Sequence, residues 1–232
     1  MIDLNKTTQR RSFLGAIGAM GATAAAIGMA GFSSAAKAIA APPKLTPPGA
    51  DAGFEAWLGK INGKHKQVFD TPLPNGGFVF AWSRVFLMTN AAAGSPESDV
   101  STVIVLRHEA IPFGMKDELW AKYKFGEHFK IDDGATKKPS MRNGLYHPKE
   151  GELPLPGMAI EDLQKSGVLI GICDMALTFY SSKVFAPAMN MTGEAIKKEW
   201  VEGILPGIQI VPSGVLAVNR AQEHGCTYCF AG

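Results

Sequence analysis

Three cysteines in 232 residues are too few to staple a chain of this length, which excludes the disulfide-rich secreted scaffolds. A large excess of either charge is also missing. The chain carries 23 basic and 21 acidic side chains, and the small surplus is confined to its start, where Lys6, Arg10, Arg11 and Lys37 face only Asp3. Beyond residue 40 there are 19 basic against 20 acidic residues, so the body gives no electrostatic reason to expect nucleic acid or an anionic membrane as partner. There is no glycine-rich phosphate loop, no Gly-x-Ser-x-Gly elbow and no His-Glu-x-x-His pair, which removes the commonest nucleotide, hydrolase and zinc-protease signatures. The 26 glycines follow no three-residue period, and a hydrophobic fraction of 46% is too high for a disordered chain. What is present is one domain of ordinary globular composition behind an unusual leader.

Residues 1–14 are polar and basic, 15–32 are nearly all Gly, Ala, Ile and Met, and 33–41 are small residues around Lys37. These are the three regions of a cleavable export signal. Arg10 and Arg11 stand directly before Ser12, Phe13 and Leu14, a segment that resembles the twin-arginine (Tat) motif, departing from it at Gln9 and Gly15. The Ala/Gly-rich apolar region fits that route, and Lys37 disfavours the general secretory one. The alternative is an uncleaved membrane anchor, since residues 15–36 reach the ~20 needed to span a bilayer. Weak apolarity and the small-x-small site Ala38-Ile39-Ala40 favour cleavage after Ala40, leaving no stable anchor. The resemblance implies that residues 1–40 are a Tat signal peptide, that the Tat translocase is a transient partner, and that the mature protein resides in the periplasm.

Residues 41–53 hold Pro42, Pro43, Pro47 and Pro48 and read as an extended linker. From residue 54 the pattern alternates between short β-rich runs and helical stretches. Strands are expected at 66–69, 101–106 (STVIVL), 168–172 (VLIGI), 208–211 (IQIV) and 226–230; the second and third read as buried on both faces. Helices are expected at 77–90, with Phe78, Ala81, Trp82, Val85, Phe86 and Met88 on a wide apolar face, and at 118–129, 159–165 and 175–182. Two more follow from caps: Thr192 before 195–204, and Ser213 before a helix ending at His224 and Gly225. The polar, Gly/Pro-rich stretch 130–156 reads as an insertion or long loop, and such loops often carry function. Strands alternating with helices predict an α/β domain of three layers on a mostly parallel, about five-stranded sheet.

From VIVLRHEAIPFG through AIEDLQKSGVLIGICDMAL to LPGIQIVPSGVLAVNRAQEHG, the chain resembles the DsrE/DsrF-like sulfur-trafficking superfamily. The shared pattern runs strand-His, then Gly-Val-x-Ile-x-x-Cys-x-x-Ala-Leu, then a strand leading through Gly into Leu-x-x-x-x-Gln-x-x-Gly, over about residues 101–230. The resemblance implies a flavodoxin-like sheet, assembly into homotrimers or hexamers, and a sulfur-accepting Cys at position 173. The chain departs from the carriers after that Cys, where it reads Thr178-Phe179-Tyr180-Ser181-Ser182 instead of turning at Arg-Gly.

Among candidate site residues, Cys173 follows one buried strand and His108 another. Parallel strands share a carboxyl edge where ligands bind, so the two are expected to face one crevice, with an imidazolium favouring the thiolate and Asp174 opposing it. The plain alternative is a buried thiol and a hydrogen-bonded imidazole. Cys226 and Cys229 form one Cys-x-x-Cys with three open readings: a disulfide or redox pair, a metal site completed by His224 or Cys173, or two core thiols. On a regular strand they lie ~10 Å apart on opposite faces, so a bond needs a bend at Gly225-Cys226. The acidic residues and His in 118–128 fit a solvated helix face. Phe179, Tyr180, Phe185 and Met189 suggest apolar surface for self-association. No cofactor is named by any motif. Two functions compete: an exported carrier of reduced sulfur on Cys173, and a small-ligand or cofactor-binding module in which that Cys is structural; an oligomeric scaffold without chemistry is a third.

Overall fold

A computed structural model describes residues 52–232; the expected signal segment with Arg10 and Arg11, and the linker up to residue 51, lie outside the described residues. The architecture is α/β: a five-stranded, all-parallel sheet in a flavodoxin-like three-layer arrangement. The strands are β1 (His65–Thr71), β2 (Val100–Leu106), β3 (Leu169–Cys173), β4 (Gln209–Val211) and β5 (Thr227–Phe230), in the order β4-β3-β2-β1-β5. The expected 66–69 run is thus a full central strand, because β1 is paired on both sides.

Alternation along β2 explains the layers. Ile104 and Leu106 face one core with Phe69, Ile170 and Ile172, while Val103 and Val105 face the other with Val68 and Val211. The first face is covered by α2 (Phe78–Ala92), α3 (Asp117–Tyr123), α4 (Phe125–His128), α5 (Ile160–Lys165) and α8 (Gly193–Glu202). The second is covered by α1 (Ala52–Leu58) and α9 (Gly214–Glu223). Helix α1 begins inside the expected linker. It exists because Phe54, Trp57 and Leu58 share one buried side.

Several elements differ from expectation. In α2 the buried residues are Val79, Phe80, Ala81, Ser83 and Leu87, Trp82 and Phe86 are half-buried, and Phe78, Val85 and Met88 are exposed, so only part of the expected apolar face turns inward. The expected helix at 118–129 is two helices, split where Lys124 adopts φ 50°. Phe125 then turns fully inward against Tyr123, Trp120 and Trp200. Conversely, the helix after β3 outruns its expected end: α6 (Asp174–Phe179) continues through a π-helical turn, Tyr180–Phe185, into α7 (Ala186–Met189). Of the four residues assigned to self-association, Tyr180 and Phe185 are buried in the core, Met189 packs partly against it, and Phe179 is exposed. The caps fall where expected: Thr192 Oγ1 accepts from Ala195 N and Ser213 Oγ from Leu216 N.

The 130–156 insertion has no regular helix or strand, yet it is firmly held. Asn143 Nδ2 donates to the carbonyls of Phe113 and Met115, at 2.8 and 3.0 Å, and Asn143 N donates to Asp117 Oδ1.

Candidate functional site

The chain leaves β1, β2 and β3 toward the first face but leaves β4 toward α9 on the second face. The crevice between the carboxyl ends of β3 and β4 is therefore the topological switch point, where open α/β sheets place ligands. Cys173 ends β3 there. Its sulfur accepts from Ala176 N at 3.3 Å, in the first turn of α6, and from Gly214 N at 3.1 Å, in the first turn of α9. The first turns of two helices thus converge on one sulfur. Asp174, which would oppose negative charge there, is paired with Lys197 at 2.7 Å.

The neighbouring strands supply a second group. Arg107, just past β2, makes a two-pronged pair with Asp70 near the end of β1, Nε to Oδ1 at 2.5 Å and Nη2 to Oδ2 at 2.9 Å. Tyr228 of β5 donates its hydroxyl to Asp70 Oδ2 at 3.0 Å. Gly214 makes room for this arrangement, because a Cβ there would fall 2.6 Å from Arg107 Cβ. The hydrogen bond with Asp70 is the main cause that raises the Arg107 pKa, opposed by burial; Cys173 is a smaller cause in the same upward direction. Arg107, held by Asp70, is thus a cation on the Cys173 side of the sheet edge, packed against the Gly214 whose N–H meets the sulfur.

His108 takes another partner. Its backbone has φ 50°, unusual for a side chain of its size, and its Nδ1 lies in a short hydrogen bond with the Tyr180 hydroxyl. Burial, with Glu109 adding to it, pushes the Tyr180 phenol up to about 12, so the phenol keeps its proton. Tyr180 opens the π-helical turn after α6, a feature that often marks functional sites. The left-handed turn sends the imidazole toward Tyr180, and His108 is not among the hydrogen-bond partners of Cys173. The site is also less open than the crevice argument implies: Cys173 is 5% exposed, while His108 is at the surface.

The Cys-x-x-Cys residues stay apart from this site. Cys226 packs in the core beneath α9 and Cys229 against the opposite core, so the strand separates them as a regular strand must, and both are free thiols. The left-handed Gly225, φ 90°, turns the chain into β5 without bringing them together. Burial pushes the Cys226 thiol up to about 11 and raises that of Cys229. Among the described residues no group of three His, Cys, Asp or Glu side chains is placed to hold a metal ion.

Arg107, Asp70, Tyr228 and Gly214 were not singled out by sequence, and Tyr180 was read only as apolar surface for self-association. The available signals were slight: Arg107 follows STVIVL directly, and Asp70 is a carboxylate near the end of a strand. The larger concavities among the described residues lie elsewhere. One, about 770 Å³, is at the amino ends of the strands beside Val100, Leu169 and Pro206. The other, about 450 Å³, lies under the insertion.

No family model matches the chain, and no curated protein matches it. Among solved structures, one similar chain is a protein of unknown function from Methanobacterium thermoautotrophicum, at 16% identity and a TM-score of 0.38, covering 72% of this chain and 99% of that one.

Proposed function

We propose that this protein is an exported, DsrE-like carrier that holds reduced sulfur on Cys173. The observation that supports the reading is the sulfur at the β3–β4 switch point, receiving amide N–H groups from the starts of two helices. In the step proposed, the Cys173 thiolate attacks the outer sulfur of a small persulfide. The donor's S–S bond breaks as the new one forms, the donor leaves as its thiol after taking up a proton, and Cys173 keeps the sulfur with no net oxidation. The twin-arginine pair at Arg10 and Arg11 supports folding before export and residence in the periplasm. The motif pattern of residues 101–230 supports assembly into a homotrimer or hexamer.

Two observations favour a second reading, a ligand-binding module in which Cys173 only caps helices: the thiol is 5% exposed, and its bond to Ala176 N is an ordinary N-cap. Labelling separates them. With iodoacetamide in limiting amount, the folded carrier is modified first at Cys173, because the Cys226 and Cys229 thiols are held protonated by burial. In a separate sample not treated with iodoacetamide, a small persulfide adds the mass of one sulfur atom, removable by dithiothreitol and absent in Cys173→Ser. A Cys173 that labels only after denaturation supports the capping role and sinks the carrier.

A further inference from the structure

We propose that the pocket beneath the 130–156 insertion binds a small cationic amphiphile, an amine carried on an aromatic or branched apolar body. The site is independent of Cys173, which does not line it. Its volume of about 450 Å³ falls within the ~300–1,000 Å³ of ordinary small-molecule sites. Phe113, Trp120, Leu145 and Met158 form a floor that is almost wholly buried, and the half-exposed ring of Phe78 stands in its wall. Such surface accepts an apolar body of one ring or a branched chain.

Charge in the wall decides the other end of the ligand. Asp132, Asp133 and Glu152 line the pocket together with Lys137 and Arg142. Arg142 is already committed, since one of its terminal nitrogens lies 3.1 Å from Asp133 Oδ2 and 2.5 Å from Glu152 Oε1. Asp133 also accepts from Ala135 N and Thr136 N, and Glu152 accepts from Lys149 N, so both carboxylates are fixed in place as anions. The three carboxylates outnumber the two cations, and of these Arg142 is shared between Asp133 and Glu152, so an anionic head meets a net negative wall in spite of Lys137. A cationic head meets the same field with favourable sign, close to aromatic faces.

Four glycines line the pocket. Gly76 and Gly151 have φ of 57° and 78°, which the backbone itself demands of glycine. Gly134 and Gly144 have no such φ. A Cβ at Gly144 would meet nothing within 4 Å, and one at Gly134 only the Glu152 carbonyl oxygen at 4.0 Å. Neither strain nor crowding calls for glycine at these two positions, although glycine costs a loop order relative to alanine. A side chain at either position would extend into open space at the pocket wall.

The test titrates the full chain with phenethylamine and with 3-phenylpropionate, which share a phenyl body and differ in the sign of the head, following the Trp120 indole N–H by NMR. Phenethylamine is expected to bind saturably at about millimolar concentration, with 3-phenylpropionate at least about tenfold weaker. Gly144→Leu fills the space without touching the fold, so its melting temperature should hold while phenethylamine binding drops at least about tenfold; Gly134→Leu, on another wall segment, provides the same reading if the first variant folds poorly. No saturation by about 10 mM phenethylamine, equal binding of the two probes, or undiminished binding in a folded leucine variant each overturns the proposal.

Discussion

A sulfur that receives two backbone amides and a thiol wedged into a hydrocarbon layer are chemically different cysteines, and this chain has both. Cys226 is the second kind, 6% exposed beneath α9, with burial outweighing the nearby Lys66 and pushing it up from 9.0 to about 11. In the unfolded chain this thiol loses its proton near pH 9, whereas the folded chain holds it until near pH 11. Its contribution is therefore complete below about pH 9 and is lost as pH rises through about 11, a fall of roughly 2 kcal/mol in unfolding free energy. Cys226→Val, which keeps the packing and removes the titration, should lose less stability over that interval. Urea unfolding at about pH 8 and about pH 11 measures the difference, and a wild type and variant that decline in parallel would contradict the burial argument. The first kind, Cys173, was legible as a candidate because it ends an obvious buried strand. Its second amide donor was not, since Gly214 is 41 residues away and reaches the sulfur only because β4 lies beside β3.

At the scale of elements, what could be read from sequence was whatever is decided locally. β2 and β3 stand out because strands buried on both faces are continuous apolar runs. The caps at Thr192 and Ser213 stand out because they bond only three residues ahead. The break at Lys124, the extension of α6 through a π-turn and the shape of the insertion were not legible, because each is imposed by distant partners. The insertion shows this best. Ser140 N donates to Ile131 O, Ile131 N donates to Gly126 O, and a Cβ at Gly126 would lie 2.2 and 2.3 Å from the backbone N and O of Ser140. The segment is held at backbone contact with α4, so Gly126→Ala must push main chain apart. About 2–3 kcal/mol of destabilisation is expected, with faster amide exchange across residues 130–156, whereas Gly144→Ala, whose Cβ meets nothing, should not destabilise the fold or speed exchange. Equal stability of the two alanine variants, measured by thermal unfolding with hydrogen exchange, would show that the insertion is not docked as described.

For the whole molecule, the sheet order sets where a second copy could meet the first. β4 at one edge is three residues long and has α1 packed nearby on its face. β5 at the other edge pairs only with β1 among the described residues, and it exposes Thr227, Tyr228 and Phe230, with the two aromatics 47% and 53% accessible. Folded monomers usually blunt such an edge with charge, proline or a bulge. Here the four residues of β5 read TYCF, with none of the first two. Phe179, exposed in α6, adds apolar surface at the carboxyl side of the sheet, where Phe230 also lies. Burying one such ring in a contact contributes about 1.5–3 kcal/mol, and a symmetric assembly repeats that gain at every interface. The proposed trimer or hexamer should therefore depend on this edge. Multi-angle light scattering at micromolar concentration is expected to give a mass of three or six chains for the wild type, and Phe230→Lys, which places a charge on a solvent-facing position of an edge strand, should shift it toward one chain without lowering the melting temperature of the monomer. A wild type that runs as a monomer removes the assembly, and a Phe230→Lys variant that keeps the full mass moves the contact away from β5.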